Sequence, residues 1–335
     1  MSTNKDSGEV AIINTLRAIA ALMVSYYHFA WHSDEFGGWF FADDHPLKYY
    51  GYQGQVGVYV FFVISGFIIP YAMYRGRFTL QNYWRFVAKR LLRLHPPLIA
   101  SMLLFAALAV GYAIKEHHTV VADWNRIIHN FFLTAKFVDV PWYEDVYWTL
   151  AIEFQYYLLI ALVYPILMHT KEWIGNVLIV IFVLTSHFFD HDNKHYIFFH
   201  APVFAAGVAV FLHRIKRIND FQFIVLLFWC MMETRYEVGP EVAVAVAFTS
   251  AAIVVLKWRN KLMDFLGNIS YSLYLIHGFV GCQFLWFTAR YTHTNLEKVG
   301  LLLAAFALSI FCSWLFYLAI EIPSVRWSKK IRYKS

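Results

Sequence analysis

Three ionisable side chains interrupt apolar runs of this sequence: Arg17 and His28 in "RAIAALMVSYYH", and Glu153 in "YWTLAIEFQYYLL". An Arg at the centre of a membrane span costs about 2.5–3.5 kcal/mol on insertion scales, so Arg17 belongs near an interface or faces a polar interior. Eleven residues of helix rise roughly 16 Å and turn through about 1,100°, within about 20° of three full turns, so Arg17 and His28 share a face at two depths. Glu153 has no cation in its own run, and an intramembrane carboxylate needs a His, Tyr or Arg from another helix. His28 stands at similar depth and is its expected partner. A carboxylate that orients and charges a His is an arrangement by which general-base catalysis deprotonates a hydroxyl. Taken alone, His28 also reads as a hydrogen-bonding group within a helix bundle.

Other polar groups extend the pattern. In "FFVISGFII", Ser65 and Gly66 are small residues between bulky ones, which serves close helix packing or close approach of a bound chain. In "RFVAKRLLRLHPP", Arg90 and Arg93 are three apart with Arg85 and Lys89 beside them. One helical turn would present them to a polyphosphate, although a cytoplasmic loop also collects such charges. Pro96 and Pro97 predict a kink or break where this segment meets the next span. "NISYSLYLIHGFV" places Ser270, Tyr274 and His277 on one helical face, suited to lining a cavity, and Trp148 opens the Glu153 run. His187, His191 and His195 are four apart, a metal-ligand spacing, but an Asp- and Asn-rich boundary is expected to break the helix there, and no metal is expected.

Positioning these groups requires a membrane bundle. The chain of 335 residues is 60% hydrophobic and 15% charged, against about 25% charged in soluble domains. Ten apolar runs of span length are predicted near 10–31, 55–74, 92–114, 146–168, 173–190, 196–213, 221–236, 240–256, 266–289 and 298–320. The expectation is an all-α polytopic bundle of about ten transmembrane helices forming one domain over residues 1–335. With both termini in the cytoplasm, 19 of the 28 basic residues fall inside, including Lys5, the 75–93 cluster, Lys171, Arg214, Lys257 and the tail through Lys334. The formal charge of +6 follows from that bias and gives no argument for nucleic acid. No cleavable signal is evident, because Arg17 interrupts the N-terminal apolar run. Cys230, Cys282 and Cys312 all fall within spans and read as packing residues. Trp39, Phe40, Phe41, Tyr49, Tyr50 and Tyr52 crowd an outer connection, as an interfacial belt or as a platform on which a sugar ring stacks.

Together these blocks resemble a known family. Arg17 with His28 matches the R-x10-H signature of the acyltransferase-3 family of bacterial membrane O-acyltransferases, and "FFVISGF", "RLLRLHPP", "WTLAIEFQYY" and "ISYSLYLIH" follow in the family's order. The resemblance spans nearly the whole chain. It implies a multi-pass protein of the bacterial inner membrane that moves an acyl group, acetyl being expected, from cytoplasmic acyl-CoA to a hydroxyl of an extracytoplasmic surface glycan or lipid-linked saccharide. It also implies His28 as the base with Glu153 as the acid of the fourth-span block. Arg17, Arg90, Arg93 and Ser65 become donor contacts, and Tyr274, His277 and Trp148 substrate-lining residues. Two positions depart from the family pattern: Phe154 stands where many members have a second Glu, and His95 where Tyr is common. Some members carry a fused esterase-like extension, and a chain ending at Ser335 is expected to acylate its acceptor directly or to serve a separate partner. The rival reading is a proton-coupled secondary transporter using Arg17, His28 and Glu153 as a relay; transporters commonly show two related halves, and no internal duplication is visible here.

Overall fold

The computed structural model describes residues 11–31, 41, 45–119, 122–189, 192 and 194–333, and among them there are helices and no strand. Lys5, Trp39, Phe40, His191, Lys334 and Ser335, used above, lie outside the described residues. In chain order the helices are α1 (Ala11–Tyr26), α2 (Pro46–Tyr52), α3 (Gly57–Arg75), α4 (Tyr83–Lys115), α5 (Trp124–Phe131), α6 (Tyr147–Leu167), α7 (Glu172–Leu184) and α8 (Ala201–Arg214). Then follow α9 (Asp220–Glu237), α10 (Pro240–Val255), α11 (Lys261–Asn268), α12 (Ser270–His277), α13 (Gln283–Thr288), α14 (Asn295–Phe316) and α15 (Ile322–Lys330). Five helical stretches are long and apolar enough to cross a membrane: Pro46–Arg75, Leu80–Lys115, Tyr147–Leu167, Ser270–Tyr291 and Asn295–Lys330. Glu172–Phe188, Ala201–Arg214 and Pro240–Val255 are shorter apolar helices.

Two expectations change here. The basic segment before the prolines is not a loop, because α4 begins at Tyr83 and runs unbroken through Pro96 and Pro97. A proline lacks the N–H that would bond the carbonyl four residues back, which strands the carbonyls of Leu92 and Arg93. Ser324 Oγ on α15 donates to both, at 2.6 and 2.9 Å, so a neighbouring helix supplies the donor that each proline removes. The second change concerns three predicted spans, which are wound unevenly. Tyr27–Trp31, Gly278–Cys282 and Tyr317–Glu321 are π-helical, continuing α1, α12 and α14.

Small residues set the tightest helix contact. A Cβ on Gly66 of α3 would run into the carbonyl oxygen of Phe204, and one on Gly207 of α8 into that of Val63. Backbone therefore meets backbone at this crossing, the mode that small residues permit between membrane helices. Gly267 abuts the Asn14 carbonyl in the same way, fixing α11 against α1. The main apolar core draws on helices from α1 to α14, and Cys230, Cys282 and Cys312 form no disulfide with one another. Of the outer aromatics, Tyr49, Tyr50 and Tyr52 are exposed, whereas Phe41 is buried and stacks on His45.

Candidate active site

A cavity of about 340 Å³ lies between α1, α3, α4, α6, α12 and α15. Its liners on α3 run from Val58 to Ala72. Fourteen residues of helix span roughly 21 Å, so the cavity is long relative to its volume. The two ends differ. Lys89, Arg90, Arg93 and Lys329 cluster toward Ala72, where Lys89 lies over the Tyr333 ring and Tyr333 packs on Gly76. Toward Val58 the wall is Phe61, Phe62, Thr149 and Tyr274, with Thr149 Oγ1 and the Tyr274 hydroxyl 2.5 Å apart.

Each charged liner is placed by its helix register. Arg90 and Arg93, one turn apart on α4, reach the cavity because the helix continues through their segment. The Arg90 guanidinium lies over the rings of Phe86 and Tyr157, at 5.1 and 5.3 Å, and its buried Nε has no hydrogen-bond partner among the described residues. A buried, unsatisfied cationic donor beside a cavity is suited to an anion. Arg17 also lines the cavity, with Glu321, Glu153 and Arg93 as its charged neighbours. Thr149, Glu153 and Tyr157 form one stripe of α6 at four-residue spacing.

The expected pairing of Glu153 with His28 is replaced by another. Ser65 Oγ and the Tyr157 hydroxyl both donate to Glu153 Oε1, at 2.7 and 2.6 Å. Ser65 thus lines the cavity while the adjacent Gly66 makes the helix contact, so the two residues divide the two roles open to them. His28 lies outside the lining of this cavity, in the π-helical turn, with its ring 5.0 Å from that of His277 and its carbonyl accepting from Cys282 Sγ at 3.9 Å. His277 lies 6.2 Å from Tyr274, ring to ring, so Tyr274 and His277 stand between the cavity's apolar end and His28. The His277 Nδ1 atom is 3.0 and 2.9 Å from the carbonyls of Leu273 and Tyr274. Carbonyls only accept, so Nδ1 carries the proton and Nε2 is left as an acceptor. That Nε2 is buried and has no partner among the described residues. Trp148 is not a liner; it packs against Phe62 and stacks on His200.

Two acids were not singled out in the sequence. Glu321 is buried, accepts from Ser272 Oγ at 2.6 Å and is a charged neighbour of Arg17. A lone carboxylate beside the apolar run 298–320 was its signal. Glu144 precedes α6, and a Cβ on Gly278 would run into its carboxylate, which brings an acid next to the His277 turn. Nothing in its loop composition marked it.

A family model described as an acyltransferase domain matches residues 10–318. The chain belongs to the acyltransferase-3 family. Comparison with curated proteins and with solved structures finds no match. The structure brings together His95 and Phe154, the two positions read from the sequence as unlike the family pattern. The His95 ring lies 6.1 Å from that of Phe154 and 5.5 Å from Phe131. The two residues therefore share one contact between α4 and α6, outside the cavity lining.

Proposed function

We propose that this membrane acyltransferase takes an acyl group, acetyl, from acyl-CoA and places it on a hydroxyl of an extracytoplasmic glycan or lipid-linked saccharide, with the basic end of the bundle in the cytoplasm of a bacterial inner membrane. One observation carries the reading: an elongated cavity has its cations gathered at one end and an apolar wall at the other, with His28 beyond that wall. Five cations, Arg17, Lys89, Arg90, Arg93 and Lys329, face one carboxylate, Glu153, so the cavity favours a polyanion. The donor's phosphates lie at Arg90 and Arg93, with Arg17 further along. The pantetheine arm extends along α3 past Ser65, and the thioester reaches the Tyr274 and His277 layer.

His28 then acts as the general base. Its ring takes the proton of the acceptor hydroxyl as the oxygen forms a bond to the thioester carbon; the carbon–sulfur bond breaks, and the thiolate leaves and is reprotonated. The His277 Nε2, held as an acceptor, adds a polar group beside that step. Glu153 serves the donor side, balancing the cations and fixing Ser65 and Tyr157.

The test is acceptor-dependent CoA release by folded, detergent-purified protein, with donor binding measured in parallel. His28→Ala is expected to lower turnover by about 10²–10⁴-fold with donor binding intact. Charge-assisted contacts to phosphate are worth about 1.5–3 kcal/mol, so Arg93→Ala is expected to weaken donor binding about ten- to hundredfold. Near-normal turnover in His28→Ala would overturn the mechanism. Proton flux in vesicles without thioester cleavage would assign the same residues to a transporter.

A further inference from the structure

The histidine triplet at positions 187, 191 and 195 does not form on one helix. The helical run ends at Phe188, Phe189 is extended, and His195 packs against Phe137 and Tyr196. His187 turns toward α9 instead. Its Nε2 is 3.1 Å from Glu233 Oε2 and its Nδ1 is 3.0 Å from Glu237 Oε1. The two glutamates are four apart on one face of α9, and their side chains are only 16% and 12% exposed against 39% for the histidine. Like charges at this spacing repel, and partial burial sharpens the need for a counter-charge. A neutral imidazole cannot satisfy both contacts, since one ring nitrogen would turn its lone pair toward a carboxylate.

We propose that His187, Glu233 and Glu237 form a divalent-cation site, with zinc(II) as the ion that fits, tying the turn after α7 to the end of α9. One nitrogen and two carboxylate oxygens are a donor set that zinc accepts, leaving a fourth tetrahedral position for water. One ligand atom from each residue already lies within 4.8 Å of the others. Tetrahedral zinc needs them about 3.4 Å apart, a closure reached by side-chain rotation, for which the exposed His187 has room. Glu233 is also oriented from behind, because Trp229 Nε1 donates to its Oε1 at 2.8 Å and leaves Oε2 for the ion. Such an outer hydrogen bond is how ligating carboxylates are held. The site lies at the opposite end of α7 and α9 from Lys171 and Arg214, away from the basic cavity mouth, and is independent of the acyl-transfer reading.

Zinc chloride titration of the metal-stripped, detergent-purified full chain by calorimetry tests this. Three variants accompany the wild type: His187→Ala, Glu237→Gln, which leaves the Trp229–Glu233 bond in place, and His213→Ala. The last removes an imidazole that, among the described residues, contacts one carboxylate, Asp220. The expected result is one tight zinc per chain, a rise in thermal midpoint on zinc addition, and binding weakened about tenfold or more in the first two variants but not in His213→Ala. Absence of tight zinc binding by the folded wild type would overturn the site. Equal affinity in all four proteins, or equal loss in all three variants, would overturn it as well.

Discussion

Removing the Ser324 hydroxyl isolates the device that keeps α4 helical through two prolines. In Ser324→Ala the carbonyls of Leu92 and Arg93 lose their donor at a site where the serine is fully buried. One hydroxyl proton serves both, so the loss amounts to about one satisfied acceptor pair, worth about 1–3 kcal/mol where water cannot substitute. In a Pro96→Ala/Pro97→Ala background, residues 96 and 97 regain N–H groups that bond those carbonyls, and the same serine change is expected to cost less than about 1 kcal/mol. The double-mutant cycle therefore carries a coupling of about 1–2 kcal/mol. Unfolding of the four detergent-solubilised proteins, followed by tryptophan fluorescence, measures it. An identical cost of Ser324→Ala in both backgrounds would refute the reasoning, because the hydroxyl would then be acting on something other than the proline-freed carbonyls.

Glu153→Gln keeps an oxygen that accepts from both Ser65 and Tyr157, whereas Glu153→Ala strands two hydroxyls; unfolding measurements are expected to show Ala as the more destabilising by about 1–2 kcal/mol, and calorimetry to show that both bind a CoA polyanion more tightly than wild type once the negative charge is gone. Gly66→Ala forces a methyl against the Phe204 carbonyl and is expected to destabilise the protein by about 1–3 kcal/mol, with Gly66→Ser no better tolerated in the same unfolding assay.

The all-helical class was legible because lipid-length apolar runs admit few alternatives, and the ordered motif blocks carried the family; of the ten expected spans, five are long and apolar enough to cross a membrane among the described residues. What sequence does not give is rotation about a helix axis. Equal distance from the expected span ends made Glu153 and His28 partners, but the α6 stripe through Thr149 and Tyr157 turns Glu153 toward Ser65, while His28 lies beyond Tyr274 and His277. The continuity of α4 through its prolines is hidden in the sequence for a related reason. Basic residues and two prolines outweigh helix propensity when only local sequence is weighed, while the compensating hydroxyl sits more than 230 residues away. Arg17, Arg90 and Arg93 do line one cavity, since cations in apolar surroundings must collect where a polar interior exists. Trp148 shared a block with Glu153 without sharing its face.

The three π-helical segments give the chain three places where its length is negotiable. A π turn closes over one residue more than an α turn, so each holds a residue that an uninterrupted helix would not need. Deleting one residue from Gly278–Cys282 lets α12 and α13 close as one ordinary helix, with the flanking turns in register and the fold's outline intact. A deletion in the middle of α3 has no such slack and swings every later side chain by about 100°. Insertions and deletions of single residues among related chains would accordingly concentrate at these turns. They would alter chemistry before they altered architecture, since His28 and Glu321 sit within two of them and His277 immediately precedes the third.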